Sequence, residues 1–143
     1  MLQVDKANRV IMLILTISIT CSICYAKHLH KEKDYQKYWC DKHNGTMEVK
    51  LDDNARVDCV TDKYAVEVDF APKWAECIGQ AVYYAKKTRK KPACLLIMEN
   101  GENDNRFLYR LRYSVYQKKQ IKGFKTFTIK PCELERNCKT TQY

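Results

Sequence analysis

The sequence predicts a single α/β (α+β) domain with the element order αβββαβαβ, and three observations carry that reading. Between residues 46 and 70, three short segments alternate apolar and polar side chains. Residues 72–89 place apolar side chains at intervals of four, three and four, and residues 93–98 are apolar without interruption. Alternation at period two marks half-buried strands, the three-and-four spacing marks an amphipathic helix, and an unbroken short run suits a strand covered on both faces.

Each element arises from local chemistry. Lys31 to His43 is polar but helix-compatible, with Tyr35, Tyr38 and Trp39 at helical spacing, and Asn44 with Gly45 stops it. The strand-like segments are TMEVKL (46–51), ARVDCV (55–60) and YAVEVDF (64–70). Turns at Asp52, Asp53, Asn54 and at Asp62, Lys63 join them. Pro72 opens a helix to about Arg89 whose inward face is Trp74, Ile78, Ala81 and Ala85. Ala93 to Met98 is the buried strand. Asn105 to Lys118 is the next helix, with Phe107, Leu108, Leu111 and Val115 on one side, and Phe124 to Ile129 is the last strand. A tail begins at Pro131. No internal repeat or low-complexity linker interrupts the order.

The first residues are expected to direct export. Lys6 and Arg9 precede an uncharged stretch from Val10 to the small residue Ala26. A positive head, an apolar middle and a small exit residue form the pattern of a secretory signal peptide. Residues 1–26 are therefore assigned as signal and 27–143 as one domain, periplasmic or extracellular and without stable membrane insertion after cleavage. The alternative is an uncleaved N-terminal anchor, for which the uncharged stretch falls just short of a spanning helix.

Charge and cysteines narrow the class further. The 143-residue chain carries a formal charge of +9, and losing Lys6, Arg9 and Asp5 with the signal lowers it by only one. A basic domain favours acidic partners such as nucleic acid or an anionic surface. Cys40, Cys59, Cys77, Cys94, Cys132 and Cys138 remain after cleavage, an even set that suggests disulfides in an oxidising compartment. Cys132 with Cys138 is the simplest pair, because it closes a short loop in the tail. Cys40 and Cys59 are further disulfide candidates, and Cys94, inside ACLLIM, reads as a buried thiol. No C-x-x-C follows the signal, which argues against a zinc knuckle. Ser114 is the only serine after residue 26, which argues against a serine hydrolase, and the histidines are too few and too terminal for a pancreatic-type ribonuclease.

Strand parity puts Met47, Val49, Leu51, Val57, Cys59, Val66, Val68 and Phe70 on one face and Glu48, Lys50, Arg56, Asp58, Glu67 and Asp69 on the other. A three-residue first turn with Asn54 left-handed sets Glu48 opposite Asp58, and an even second turn sets Asp58 opposite Glu67. Facing like charges are destabilising unless a cation sits among them, and Mg²⁺ or Mn²⁺ suits oxygen ligands. A solvated face, with Arg56 on Asp69 and Lys50 on Glu48, is the bland alternative. On the next helix, Lys73 and Gln80 are seven residues apart and share a side with Tyr84. That side adjoins the strand end that bears Glu67 and Asp69.

RVDC, AVEVDF and PKWAECIGQAVYYA, taken together, resemble the core of the PD-(D/E)XK nuclease superfamily over about residues 46–98. The resemblance implies an αβββαβ restriction-endonuclease-like core with a mixed sheet, to which this chain adds a C-terminal helix and strand. It also implies Mg²⁺-dependent cleavage of nucleic acid. Asp58 matches the first acid and Glu67 the second, while Gln80 with Tyr84 resembles the Q-x-x-x-Y motif of the RecB-like branch. The pattern wants a lysine two residues after the second acid, where this chain has Asp69; Lys73 is the substitute. Catalytic roles then fall to Asp58, Glu67, Lys73 and Gln80 and metal ligation to Asp58, Glu67 and Asp69, with Glu48 and Tyr84 as outer members. If Lys73 fails to reach the site, the domain is an inactive relative that binds nucleic acid, an envelope component or a protein partner. Lys86 to Lys91, Lys118, Lys119, Lys122 and Lys125 are candidates for backbone contacts, and Tyr83 and Tyr113 for base stacking. His28 and His30 are expected to be flexibly solvated.

Overall fold

The computed structural model describes residues 28–117 and 121–136. The signal segment, Lys118, Lys119 and Cys138 lie outside them. Helix α1 (Glu32–Lys42) leads into strands β1 (Thr46–Lys50), β2 (Arg56–Val60) and β3 (Tyr64–Phe70). A 3-10 turn (Ala71–Lys73) enters α2 (Trp74–Thr88), and β4 (Lys91–Ile97), α3 (Asn105–Tyr116), β5 (Lys125–Ile129) and a short α4 (Pro131–Glu135) come after it. The predicted order αβββαβαβ is the observed one. The tail expected from Pro131 onward instead starts as α4, because proline suits the first helical turn and Glu133 accepts from the Lys130 backbone N–H at 3.0 Å.

The five strands form one mixed sheet in the order β1-β2-β3-β4-β5. β1, β2 and β3 pair antiparallel; β3, β4 and β5 pair parallel. Each parallel step needs a crossover, and α2 and α3 supply them. Steps in one direction with one handedness put both helices on the same face. There they bury Cys77, Ala81, Leu111 and Val115 against Cys94, Leu96 and Met98. α1 covers the other face with Tyr35, Trp39 and Cys40 on Val66, Val68, Leu95 and Ile97. β4 is thus buried on both sides, as its unbroken apolar sequence requires.

One parity expectation fails. Met47, Cys59, Val66, Val68 and Phe70 do face α1, but Val49, Leu51 and Val57 pack with Ala65 and Tyr84 on the α2 side. The reversal occurs at Glu48, whose φ of 54° is left-handed. A residue in that region breaks the pleat and turns Val49 and its successors to the other face. The registers themselves agree with the sequence: Met47↔Cys59 and Val49↔Val57 flank Glu48 and Asp58, and Asn54 is left-handed at φ 70°.

Cys40–Cys59 bonds α1 to β2, and Cys77–Cys94 bonds α2 to β4. Cys94 is therefore not a thiol: alternation along β4 turns it toward the helix that carries Cys77. Cys132 is also disulfide-bonded. Gly45 approaches the first disulfide so closely that a β-carbon there would collide with both sulfurs. The N-terminal histidines are held as well. Glu99, just past β4, accepts from the Leu29 and His30 backbone N–H groups and the Tyr35 hydroxyl, and hydrogen-bonds the His28 ring. His28 also stacks on Phe70 at 3.5 Å between ring centroids.

Candidate functional site

The site lies at the carboxyl half of β3, where β2 and β3 stop pairing. Their ladder includes Val60↔Ala65 and Cys59↔Val66. Beyond it, Asp58 turns its side chain into the gap, and Oδ2 accepts the Val68 backbone N–H at 2.8 Å. The carboxylate thus replaces a backbone partner that β3 would otherwise lack. Alternation along β3 then places Glu67 and Asp69 on the α2 side, 7% and 4% exposed.

Gln36 of α1 holds the gap from behind. Its side-chain amide donates to Glu48 Oε1 at 3.0 Å and to the Asp58 carbonyl at 2.7 Å. This buried amide ties the side chain of the left-handed Glu48 to the backbone of Asp58. Arg56 approaches Glu48 at 3.9 Å rather than Asp69. Asp69 instead meets Lys73 Nζ at 3.3 Å, across one turn into α2.

The electrostatics are those of acids crowded out of water. Burial pushes the Asp58 carboxyl above its ordinary value, and the charges of Glu32 and Glu48 push the same way against the Val68 N–H. Glu67 is driven up further, first by burial and then by Asp58 and Asp69. Burial raises Asp69 to about 6 despite Lys73. Asp58 lies near enough to Glu67 for its charge to favour the protonated form of Glu67. Glu67 Oε2 is buried with no hydrogen-bond partner. Tyr84, under the same acids, is pushed up to about 12 by burial and by Glu67 and Asp58.

Of the residues read from the sequence, Asp58, Glu67, Asp69, Lys73 and Tyr84 come together. Glu48 stands one step away behind Gln36. Gln80 is exposed on α2, one turn before Tyr84, and no hydrogen bond joins it to the acids. The basic run at the end of α2 disperses: Lys87 pairs with Asp52 and Asp53, and Lys90 donates to the Asp62 carbonyl. Two participants escape sequence reasoning, Glu32 and Gln36. They are four apart on α1 and share one face, so a glutamine beside Tyr35 on the inward side of the helix is the signal that could have found them.

Among the described residues, no group of three His, Cys, Asp or Glu side chains could hold a metal ion as it stands. Two carboxylates nevertheless fit a Mg²⁺ ion, which keeps several waters and takes substrate phosphate oxygens as further ligands. Asp58 and Glu67 would be such a pair, with the unpartnered Glu67 Oε2 as the donor atom left over.

Fold and site together define a mixed α/β domain with a cluster of buried acids on its central strand. Two proteins of Acanthamoeba polyphaga mimivirus named as KilA-N domain-containing resemble it, one 33% identical over 75 residues and the other 31% over 74. Each match covers 52% of this chain but only 21% and 30% of the relatives, so the chain spans less than a third of their length. No family model matches the chain, and no solved structure does. The PD-(D/E)XK resemblance therefore rests on motif spacing and element order.

Proposed function

We propose that this chain is a nucleic-acid-binding domain built like a nuclease core. A formal charge of +9 in a chain that gathers Asp58, Glu67 and Asp69 into one cluster supports binding to a polyanion. The finer reading is phosphodiester hydrolysis at that cluster, carried by one observation: the buried, unpartnered Glu67 Oε2 beside Asp58. Asp58 and Glu67 would hold Mg²⁺ or Mn²⁺. When bound, the ion supplies Lewis-acid polarisation of a phosphoryl oxygen and a water of lowered pKa.

The chain's own residues complete the chemistry. Asp69 holds the Lys73 ammonium beside the acids, where it would offset negative charge that grows on the phosphate. Gln80, exposed on α2, meets substrate from the rim. Water adds to phosphorus, one P–O ester bond breaks, and the products are a phosphomonoester and a free hydroxyl. Cleavage of DNA or RNA by the full chain in Mg²⁺ or Mn²⁺ is expected to vanish in Glu67→Gln with circular dichroism unchanged. No cleavage by wild type with either ion on either substrate would sink the hydrolytic reading.

A second reading keeps the binding and drops the chemistry: an inactive module for nucleic acid, an envelope component or a protein partner. Asp69 in the place of the motif lysine favours it. Salt-sensitive binding that ignores divalent ions is its signature. Export completes the proposal, supported by the paired cysteines of α1 with β2 and of α2 with β4. Retention of the full-length chain in the producing cell's cytoplasm, seen by fractionation, would remove it.

A further inference from the structure

The outer face of α3 has a composition that packing does not explain. Leu111 and Val115 bury the inner face, yet Tyr109 is 67% exposed, Tyr113 56% and Tyr116 45%. At intervals of four and three these tyrosines form one stripe along the helix. Leaving three large rings in water is unfavourable unless something covers them. The helix carries Arg106, Arg110 and Arg112 and no acidic residue from Asn105 to Tyr116.

Tyr109, Arg112, Tyr113, Tyr116 and Gln117 line a groove of about 310 Å³. The Tyr109 and Tyr113 rings lie 6.0 Å apart with planes inclined by only 32°. Tyr116 is pinned at the far end, its hydroxyl donating to Thr126 Oγ1 at 3.1 Å and accepting the Thr126 N–H at 3.0 Å. At the near end, Arg106 and Phe107 share a hollow with Pro72, the residue before Lys73. The helix therefore runs from the tyrosine groove to the turn that carries Pro72 and Lys73.

We propose that the outer face of α3 is a stacking track for single-stranded nucleic acid. Rings of tyrosine offer π-faces only unpaired bases can use, and arginines between them take the phosphates. Duplex DNA keeps its base faces covered and is read instead through groove edges and backbone. The proposal names the substrate class within the nucleic-acid reading above and adds a surface remote from the acids.

Fluorescence anisotropy of the full chain, without divalent ions, tests it with labelled oligothymidylate and with its duplex on oligoadenylate. Stacking of about 1–3 kcal/mol per base makes the double variant Tyr109→Ala, Tyr113→Ala at least about tenfold weaker for the single strand. Duplex affinity stays put, and Tyr109→Phe with Tyr113→Phe keeps single-strand binding because the rings remain. Equal loss for both probes, or no loss for the single strand, overturns the track while leaving nucleic-acid binding intact. Failure of wild type to bind either probe overturns both and points to a protein partner for this face.

Discussion

Glu67 concentrates the cost of this fold in one side chain. Burial and the neighbouring Asp58 and Asp69 favour its protonated form, and Asp69 is raised to about 6 from an ordinary 3.8. Groups raised in the folded state bind more protons folded than unfolded, so stability falls as pH rises from the ordinary value through the raised one. In cation-free buffer the chain should lose thermal stability as pH rises from about 4 through 6 and beyond, and Mn²⁺ should restore it. Glu67→Gln removes the charge but keeps the shape, and is expected to raise the melting temperature by about 4 °C or more at neutral pH. Scanning calorimetry across pH reads both. An unchanged profile in the variant would show that Glu67 is ordinarily hydrated.

Glu99 has the opposite sign. Burial pushes it up, but hydrogen bonds from His28, Tyr35 and the His30 and Leu29 backbone carry it below 4.5. Its contribution is present above that value and is lost as pH falls through its lowered folded pKa. Glu99→Gln should destabilise by roughly 1–3 kcal/mol at neutral pH and by progressively less in acid. Urea melts at two pH values measure the difference. Equal losses at both would show that the carboxylate charge plays no part.

At the scale of elements, the edge hairpin depends on ties that its own short strands lack. Cys40–Cys59 closes 19 residues of sequence, joining α1 to β2 just beside Asp58. Replacing both cysteines with alanine should cost about 3 kcal/mol, read as a lower denaturation midpoint with a steeper slope, because the released unfolded chain exposes more surface. Gly45→Ala is expected to cost about 1–3 kcal/mol because its methyl meets the two sulfurs. With the disulfide already absent that penalty should shrink, since the two changes share a contact. A full additive penalty would place the strain elsewhere.

For the molecule as a whole, charge and topology divide the work. The parallel half, β3 to β5, carries the doubly covered core, while the antiparallel half, β1 to β3, opens the gap that Asp58 enters. The chain as a whole is strongly basic, with a formal charge of +9. Affinity for single-stranded nucleic acid should therefore fall at least about tenfold between 50 and 200 mM salt, with a linear log–log slope. Salt-independent binding would mean that phosphate contacts are not its basis.

Periodicity, turn chemistry and register are readable residue by residue. Alternation places β1 to β3, the spacing of Ala81 and Ala85 places α2, and the Asp–Asp–Asn turn sets Glu48 opposite Asp58. These are local preferences, and short-range geometry is enough to express them. The gathering of Asp58, Glu67 and Asp69 is legible too, because two antiparallel turns bring nearby residues face to face. The pleat reversal at Glu48, the Gln36 brace, the Cys77–Cys94 bond and the Glu99 clamp are decided only by tertiary structure. Each settles a buried polar group, a sulfur or a strand direction that depends on how α1 and α2 dock on the sheet. Alternation cannot show where a strand bends, and composition cannot show which acid is left without a partner.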